Sequence, residues 1–392
     1  MKRIAFIHGR FPAGGAERIT IDVARYLSDI GGYEVYVYAT RISEALLTDD
    51  IRKILTVRRI PSQANPSRRA GFIEKLIVQD KVDVLVQVTK SLPGIDGIRQ
   101  RTGCKSVVAC HGEPLWQRHA IMHRRRKGIL RRIAWTLYNK RRFADGTLAL
   151  SMAKSRTMAD YRNSDAYTVL CESYKYELAE ALGLDAETAN IYAIENPERA
   201  IESVNYEKEK TILFCGRFEN WSKRIDRLLR IWSKVQHSMP EWRLVLVGDG
   251  PAGKMLRKMA ADMNLERVTF EGHRKNVADY YRKASVVALT SQTEGWPLAL
   301  SEGQAHGCIG VAFGCTSGVK EILSPEGECG FAVSPFDEDR YADVLLNIAS
   351  MNDDELLKIR QNAVRKRLQY IPENIAQKWK VLFDDLCAQE QP

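Results

Sequence analysis

KRIAFIHGRFPAGGAERITIDVARYLSDI, residues 2–30, decides the fold class. RIAFI (3–7) is a short apolar run, which predicts a buried β-strand. The segment 16–30 then carries Ile19, Val23 and Leu27 at helical spacing among polar residues, which predicts an amphipathic helix. Gly14 and Gly15 lie between the two and allow a tight turn. A strand, a turn and a helix in this order predict an α/β fold with a parallel sheet.

The alternation of strand and helix continues in two rounds. The Asn-Pro of NIYAIENPER (190–199) and the polar stretch after it indicate a linker between the rounds. Further strands of the first round are predicted at EVYVYA (34–39), LTVRRI (55–60), VDVLVQV (82–88), SVVAC (106–110) and GTLALS (146–151). Those of the second round are predicted at TILFCGR (211–217), WRLVLVGDG (242–250), RVTFEGH (267–273), SVVALTS (285–291), CIGVAF (308–313) and GFAV (330–333).

These patterns predict two α/β domains with parallel sheets and helices on both faces. We expect an N-terminal domain at 1–198, a second domain at 199–372, and a C-terminal helix at 373–392 that packs back on the first domain. Ligands of such sheets bind at the carboxyl ends of the strands. The cleft between two facing domains is therefore the expected site.

Composition excludes several protein classes. The 392 residues include 45% hydrophobic and 28% charged residues, which is ordinary for a globular chain. No apolar run approaches the roughly 18–20 residues of a membrane span, and the apolar start of MKRIAFIHGRFP is too short for a signal peptide. The eight cysteines form no CxxC, which indicates reduced thiols rather than a disulfide framework. We expect a cytoplasmic protein.

The net charge of +10 is concentrated in residues 118–142, RHAIMHRRRKGILRRIAWTLYNKRR. This segment has ten Lys/Arg and no Asp or Glu, so the rest of the chain is balanced, with 59 − 10 = 49 cations against 49 anions. A basic amphipathic stretch can attach to anionic lipid, and we expect peripheral binding of the first domain to the inner face of the cytoplasmic membrane. A solvated helix face and a nucleic-acid surface are the alternatives; no nucleic-acid motif accompanies the segment.

Three segments carry residues suited to an anionic, hydroxyl-rich ligand. FPAGGAER (11–18) places Gly14 and Gly15 before a helix start, whose N–H groups suit phosphate; the alternative is a tight turn only. GRFENWSKRIDRLL (216–229) places Arg217 at a strand end and Lys223 near a helix start, where two cations can clamp a diphosphate; the alternative is a pair of surface cations.

The third segment is TEGWPLALSEGQAHG (293–307), with Glu294 and Glu302 eight positions apart. Pro297 predicts a helix start, so Glu294 precedes the helix while Glu302 lies inside it, and the two are not side by side on one helical face. The N–H groups of 295–298 suit phosphate and the carboxylates suit sugar hydroxyls. We therefore interpret the two glutamates as separate anchors on one ligand rather than as an acid–base pair.

Taken together in this order, the motifs resemble glycosyltransferase family 4, retaining enzymes of the GT-B fold. Matching elements span nearly the whole chain: GGAER (14–18), HGEP (111–114), ENP (195–197), GRF (216–218) with Lys223, VGDGP (247–251), FEGH (270–273) and EGWPLALSE (294–302). EGWPLALSE, with its two glutamates, is the most specific of these motifs when it follows Gly216-Arg217 and Lys223 in the chain.

The resemblance implies a nucleotide-sugar donor held mainly by the second domain. It assigns Arg217 and Lys223 to the diphosphate, Glu302 to the ribose and Glu294 to hydroxyls of the transferred sugar. It implies that Gly14 and Gly15 approach the diphosphate from the first domain. Backbone contacts to sugar and phosphate are implied for Gly295, Trp296, Pro297 and Leu298, a base-binding position for His273 and Arg274, and a place near the sugar for His111.

This sequence departs from the family pattern at two positions. Arg224 follows Lys223 where the family usually has glycine, which puts the local phosphate geometry in doubt. Trp296 stands where another aromatic or aliphatic residue is common, and it either shapes the sugar pocket or packs behind the loop. His111 also has two interpretations, a catalytic residue near the sugar and a hydrogen-bonded structural histidine.

Asp337-Glu338-Asp339 resembles a metal-binding DxD, but it precedes YADVLLNIA, which favours a helix start. We expect no cofactor and no metal, because Arg217, Lys223 and a helix N-terminus can neutralise the diphosphate.

The resemblance implies a retaining transferase that catalyses with Glu294, His111, Arg217 and Lys223. It moves a hexose or N-acetylhexosamine from a UDP-sugar to a lipid-linked glycan, lipopolysaccharide, capsule or exopolysaccharide. Retention without an obvious nucleophile suggests a front-face route, in which the leaving phosphate helps to deprotonate the acceptor. The alternatives are a nucleotide-sugar epimerase on the same fold and a nucleic-acid-binding protein that uses the basic segment.

Overall fold

A computed structural model describes residues 1–12, 14–62, 66–89, 91–123 and 146–388. The chain divides into two units. The first contains Met1–Glu195 together with the segment that begins at Ile375, and the second contains Asn196–Asn374. Each unit is an α/β structure around one parallel sheet. The divisions lie within three residues of the predicted boundaries at 198 and 372.

The first unit contains a seven-stranded sheet in the order β3-β2-β1-β4-β5-β6-β7. Its described strands are β1 (Lys2–Phe11), β2 (Tyr33–Ile42), β3 (Thr56–Arg59), β4 (Val84–Val88), β5 (Lys105–Ala109), β6 (Ala166–Val169) and β7 (Ile191–Ala193). The described helices between them are α1 (Gly15–Ile30), α2 (Asp49–Ile54), α3 (Pro66–Asp80), α4 (Ile95–Thr102), α5 (Gln117–His123), α6 (Thr147–Arg162) and α7 (Glu172–Leu182). All neighbouring strands pair in parallel, as the alternation predicts.

One predicted strand of this unit is wrong. GTLALS (146–151) belongs to α6, which Gly146 precedes in the left-handed conformation (φ 75°). The side chains of Ala149, Ala153 and Thr157 are buried, so the buried face recurs every four residues and not every two. The strand that pairs with β5 follows the helix instead, at Ala166–Val169.

The C-terminal helix packs on the first sheet. This helix, α15 (Pro372–Ala388), places Trp379 and Phe383 against Phe6 of β1, with ring centroids 6.4 Å apart in both pairs. Asp384 of the same helix accepts hydrogen bonds from Lys2 and Tyr33. These apolar contacts and hydrogen bonds make the helix part of the first unit.

The second unit contains a six-stranded sheet in the order β10-β9-β8-β11-β12-β13. Its strands are β8 (Glu209–Cys215), β9 (Arg243–Val247), β10 (Val268–Gly272), β11 (Ala284–Leu289), β12 (Ile309–Phe313) and β13 (Gly330–Val333). Its helices are α8 (Ile225–Val235), α9 (Gly253–Asp262), α10 (Ala278–Lys283), α11 (Leu298–Ala305), α12 (Ser317–Leu323), α13 (Glu338–Ser350) and α14 (Asp353–Arg367). Each of the six predicted strands is present; β13 has the predicted ends, and the other five have shifted ends.

The strand order of the second sheet creates a switch point. β8 leads to β9 and β10 on one side, whereas β11 lies on the other side of β8. The loops that follow β8 and β11 therefore leave the sheet in opposite directions and open a crevice between them at the carboxyl edge. Residues 216–224 and 290–297 form these two loops.

Two further predictions concern a helix start at residues 337–339 and membrane-spanning helices. Asp337 is the N-cap of α13 and its carboxylate accepts a hydrogen bond from the N–H of Arg340, so the helix-start interpretation of residues 337–339 is confirmed. Among the helices of the described residues, none is long and apolar enough to cross a membrane.

Candidate functional site

The carboxyl edge of the second sheet collects most of the predicted ligand-binding residues. In sheet order, His273 and Arg274 follow β10, Gly248 follows β9, Arg217 and Lys223 follow β8, and Glu294 follows β11. Parallel strands place all of these loops on one side of the sheet. Residues up to 77 positions apart in the sequence are thus presented along a single edge.

Lys223 and Glu294 meet across the switch point. Nζ of Lys223 lies 2.7 Å from Oε1 of Glu294, and the hydroxyl of Ser291 donates to the same oxygen at 2.6 Å. The Lys223 side chain is 28% exposed and that of Glu294 is 9% exposed. The sequence analysis assigned these residues to different parts of one ligand. The structure places the two side chains in direct contact, so a single ligand group at this point could touch both of them.

Arg217 lies in the same loop and is the most exposed cation of the site. Its side chain is 69% exposed and pairs with Glu219, with 3.2 Å between Nη1 and Oε1. The hydroxyl of Ser222 donates to the other oxygen of Glu219 at 2.8 Å. Glu219 was not predicted, although its place between two candidate phosphate ligands is visible in the motif. Solvent-exposed ion pairs are weak, so an incoming diphosphate can compete with Glu219 for Arg217.

Glu302 occupies a separate position inside α11 (Leu298–Ala305), whereas Glu294 precedes that helix. The expectation that the two carboxylates do not share one helical face is confirmed. Burial raises the pKa of the Cys215 thiol, the charge of Glu302 raises this pKa further, and the charge of Lys223 lowers it. Cys215, the last residue of β8, therefore experiences the charges of both the carboxylate and the ammonium group.

The loop before α11 has a buried support. Trp296 is 5% exposed, and its ring packs edge-on against Tyr370 with 5.3 Å between centroids. Of the two interpretations of Trp296, the structure supports the one in which the side chain packs behind the loop. Pro297 is the N-cap of α11 and Leu298 is its first residue. Any contact of Gly295, Trp296, Pro297 and Leu298 with a donor stays a prediction that concerns the backbone.

Arg224 adopts a conformation that explains why a glycine is usual there. Its backbone lies in the left-handed region (φ 45°, ψ 48°) at the N-cap of α8. Its guanidinium donates two hydrogen bonds to Asp226 at 2.9 Å, and its carbonyl accepts one from Thr290 at 2.9 Å. These bonds offset the cost of about 1 kcal/mol for a left-handed residue with a side chain. The loop that carries Lys223 thus keeps its turn without glycine.

Gly248 permits the loop after β9 to lie against the loop after β8. Its φ is 141°, and a Cβ at this position would collide with the carbonyl oxygen of Gly216. The N–H of Phe218 donates to the carbonyl of Asp249 at 3.0 Å, and that of Ala252 donates to the carbonyl of Phe218 at 3.0 Å. The VGDGP motif therefore supports the loop that carries Arg217.

His273 and Arg274 are exposed on the loop after β10, at one end of the sheet. Arg274 donates to Glu271 at 2.7 Å, and Tyr280 donates to the same carboxylate oxygen at 2.7 Å. Hydrogen bonds from Tyr280 and Arg274 lower the pKa of Glu271. The predicted contact of His273 and Arg274 with a nucleotide base stays a prediction.

The first unit places Gly14, Gly15 and His111 at the carboxyl edge of its own sheet, after β1 and β5. The first helical turn of α1 carries Glu17, and a Cβ on Gly14 would collide with its carboxylate. Oε1 of Glu17 lies 3.7 Å from Nδ1 of the buried His8. Burial raises the pKa of Glu17, but the bond with His8 and the charge of His111 outweigh it, so this pKa is lowered. A carboxylate thus faces the helix start that was expected to bind phosphate.

The basic segment falls mostly outside the described residues, which omit 124–145. Its described part begins at Arg118 and His119, which lie 3.7 and 2.7 Å from the buried carboxylate of Glu113. In the described ranges, no cluster of three or more His, Cys, Asp or Glu side chains could hold a metal ion. The expectations about membrane binding and metal stay predictions.

Comparisons with known proteins agree with the motifs. The family model described as Glycosyltransferase Family 4 matches residues 13–197, and that described as Glycosyl transferases group 1 matches residues 209–351. An uncharacterized glycosyltransferase of Haemophilus influenzae is 26% identical over 390 residues, which cover 97% of this chain and 99% of the relative. The amylovoran biosynthesis glycosyltransferase AmsD of Erwinia amylovora is 28% identical over 233 residues, which cover 57% of this chain and 63% of the relative.

Solved structures support the fold. The crystal structure of Anabaena HepE in complex with UDP and glucose superposes with a TM-score of 0.73 at 18% identity, and covers 98% of this chain and 100% of that one. The prediction of a GT-B fold with two parallel-sheet domains and a helical C-terminal segment is confirmed. Two family models matched in succession, a full-length relative and this fold lead to one conclusion: the chain is a glycosyltransferase of the family 4 type.

Proposed function

We propose that this enzyme transfers a hexose or N-acetylhexosamine from a UDP-sugar to a growing glycan, with retention of the anomeric configuration and without a metal ion. The carrying observation is the ion pair between Lys223 and Glu294 at the switch point between β8 and β11, with Arg217 in the same loop. This edge combines cations for a diphosphate with a carboxylate for sugar hydroxyls.

The proposed roles follow from the chemistry of these side chains. An ammonium group has three donors, so Lys223 can keep its bond to Glu294 and still donate to a phosphate oxygen. Arg217 can supply a bidentate fork to the same diphosphate once it leaves Glu219. Both cations then stabilise the negative charge that develops on the leaving UDP.

The two carboxylates are proposed to orient the donor. Glu294 accepts hydrogen bonds from hydroxyls of the transferred sugar, and Glu302 accepts them from the ribose. The separation between Glu294, which precedes α11, and Glu302, which lies inside it, supports contact with two parts of one donor rather than with one reacting atom. In this route the leaving phosphate helps to deprotonate the acceptor, and the protein contributes placement and electrostatics.

Two relatives support the substrate classes. The Anabaena HepE structure contains UDP and glucose, which supports a UDP-sugar as donor. AmsD acts in amylovoran biosynthesis, which supports a glycan under construction as acceptor. Lipid-linked glycan, lipopolysaccharide, capsule and exopolysaccharide are the proposed acceptor classes. The concentration of charge in residues 118–142 supports their use at the inner surface of the cytoplasmic membrane.

A donor screen tests the proposal. The purified protein is incubated with UDP- and GDP-sugars, with and without a chelator, and release of the nucleoside diphosphate is measured. We expect slow hydrolysis of one UDP-sugar that the chelator does not reduce, and faster turnover when a lipid-linked acceptor is added. The anomeric configuration of the product is then read by NMR. A product that is an isomerised nucleotide-sugar, formed without acceptor, would show an epimerase instead.

A further inference from the structure

A buried arginine at the start of α8 contacts two loops of the carboxyl edge. Arg227 is 7% exposed. Its Nη2 donates to Oε1 of Gln292 at 2.7 Å, and Nη1 makes a longer bond of 3.4 Å to the carbonyl of Thr290. Its Cζ lies 4.0 Å from the ring centroid of Phe336. One side chain therefore joins the loops that follow β11 and β13 to the helix that follows β8.

Two hydrogen bonds to backbone carbonyls reinforce this junction next to the candidate site. The N–H of Gln292 donates to the carbonyl of Ser222 at 2.6 Å, directly before Lys223. The hydroxyl of Thr290 donates to the carbonyl of Arg224 at 2.9 Å, directly after Lys223. The loop of Glu294 is thus attached to the loop of Lys223 on both sides of the lysine.

The charges around Arg227 are committed to other partners. Asp226 binds Arg224 and Arg230, and Glu338 binds Arg230. Arg227 itself donates to an amide oxygen and a carbonyl and stacks on an aromatic ring. Burying a cation among neutral acceptors costs free energy, which indicates that the arginine is needed for its shape. Its planar guanidinium can donate to two acceptors and stack on a ring at the same time, which the ammonium group of a lysine cannot do.

We propose that Arg227 is a positioning residue: it clamps residues 290–292 to the first turn of α8, directly after residues 222–224, and thereby fixes Glu294 relative to Lys223. The clamp itself is a property of the fold, whereas its effect on turnover rests on the proposed function. Because a displacement of about 1 Å at a reacting centre can cost on the order of 100-fold in rate, a clamp two residues from Glu294 should affect catalysis.

Hydrogen exchange of the full-length protein tests the clamp without any substrate. The variants are Arg227→Met and Gln292→Leu, the second of which removes only the acceptor. Arg360→Met is the matched control, since Arg360 is 6% exposed and donates to Ser285 near the start of β11, at the opposite edge of the same sheet. We expect exchange of the amides at 290–296 to become about tenfold faster in the first two variants and to stay unchanged there in the control.

Kinetics test the consequence of the clamp. We expect Gln292→Leu to lower kcat about tenfold while the donor KM changes less than about threefold, because Arg217 and Lys223 still hold the diphosphate. Gln292→Glu keeps an oxygen acceptor for Arg227 and should restore at least half of the turnover. The melting temperatures of Gln292→Leu and Gln292→Glu are measured alongside. If Gln292 only stabilised the fold, turnover would not differ between these two variants when their melting temperatures are equal.

The outcomes separate the clamp from the proposed function. Unchanged exchange at 290–296 in Gln292→Leu, or equal acceleration in Arg360→Met, overturns the clamp. Faster exchange with unchanged kcat refutes its catalytic effect. A wild-type protein that turns over no nucleotide-sugar overturns the proposed function, while the exchange result still decides whether Arg227 fixes the loop.

Discussion

Nζ of Lys223 lies 2.7 Å from Oε1 of Glu294, although the two residues are 71 positions apart in the chain. Lys223 follows β8 and Glu294 follows β11, the two strands that flank the switch point of the second sheet. The pair keeps a nearly buried carboxylate compensated before any ligand arrives. A donor that offers both hydroxyls and phosphates would meet an acceptor and a cation that are already oriented.

The first prediction concerns Glu294. Replacement of Glu294 by Ala should lower transferase kcat by about 100-fold or more, because the hydroxyls of the transferred sugar lose the acceptor that orients them. Steady-state kinetics with the UDP-sugar identified in the screen would measure the loss, and circular dichroism would check the fold.

Glu241→Gln serves as the control for Glu294. Glu241 also forms an ion pair with a lysine of the second unit, Lys210, but this pair lies at the amino ends of β8 and β9. We expect this variant to keep wild-type kinetics. Near-normal turnover by Glu294→Ala would refute its assigned role.

A second prediction separates binding from chemistry at Lys223. Lys223→Met should weaken UDP binding about 10- to 100-fold, the equivalent of about 1.5–3 kcal/mol for charge-assisted hydrogen bonds to phosphate. Isothermal calorimetry with UDP alone would give the dissociation constants. Lys234→Met is the matched control. Lys234 lies in the last turn of α8, whereas Lys223 precedes the first turn, and Nζ of Lys234 pairs with Asp339 at 2.6 Å. UDP affinity that is equal in the two variants would contradict a diphosphate site at Lys223.

Local signals in the sequence explain why much of the fold could be predicted. Short β-branched runs gave the positions of all six strands of the second sheet, and Pro297 marked the start of α11. GTLALS (146–151) failed because a short apolar run has no length or period that separates a strand from a buried helix face. The structure shows that this face continues to Thr157, beyond the run itself.

The partners within the site could not be predicted, because they depend on strand order. Nothing local to residue 294 indicates that β11 lies beside β8, so the pairing of Glu294 with Lys223 appears only in three dimensions. The same holds for Trp296, whose side chain packs on Tyr370 rather than shaping an open pocket. Glu17 is different: its place three residues after Gly14 could have suggested a carboxylate at the N-terminus of α1.

A third prediction concerns the basic segment. Reversal of charge by the triple substitution Arg124→Glu, Arg125→Glu and Arg126→Glu should remove most binding to vesicles that contain anionic lipid, since each basic residue near such a surface contributes about 1 kcal/mol. Co-sedimentation at low and high salt would measure the binding. Reversal at Arg282 and Lys283, two cations of α10 in the second unit, is the control and should leave binding intact. Unchanged sedimentation of the triple variant would refute membrane attachment through this segment.

The last prediction concerns pH and the C-terminal helix. Burial raises the pKa of Asp384, but hydrogen bonds from Lys2, Lys380 and Tyr33 outweigh burial and hold this pKa well below its usual range. A carboxyl group whose pKa is lower in the folded state stabilises that state above its unfolded pKa of about 3.9 and loses this contribution as the pH falls through the folded pKa. Asp384→Asn should therefore lower the free energy of unfolding at pH 7 by about 1 kcal/mol, a value kept small because the pair is partly solvated.

The difference between wild type and Asp384→Asn should shrink as the pH falls below about 4, because the carboxyl group of the unfolded wild-type chain then takes up a proton while the folded one still resists it. Urea denaturation followed by tryptophan fluorescence suits the measurement, since Trp379 of the same helix packs against Phe6. The neighbouring Asp385→Asn is the control. Asp385 lies beside Tyr192 in a groove between α15 and β7, apart from the Lys2, Tyr33 and Lys380 side chains that bind Asp384.

If both variants lose the same stability at pH 7, the bonds of Asp384 do not anchor the C-terminal helix to the first sheet. A difference that persists unchanged to pH 3 would show instead that Asp384 acts through packing and not through its charge.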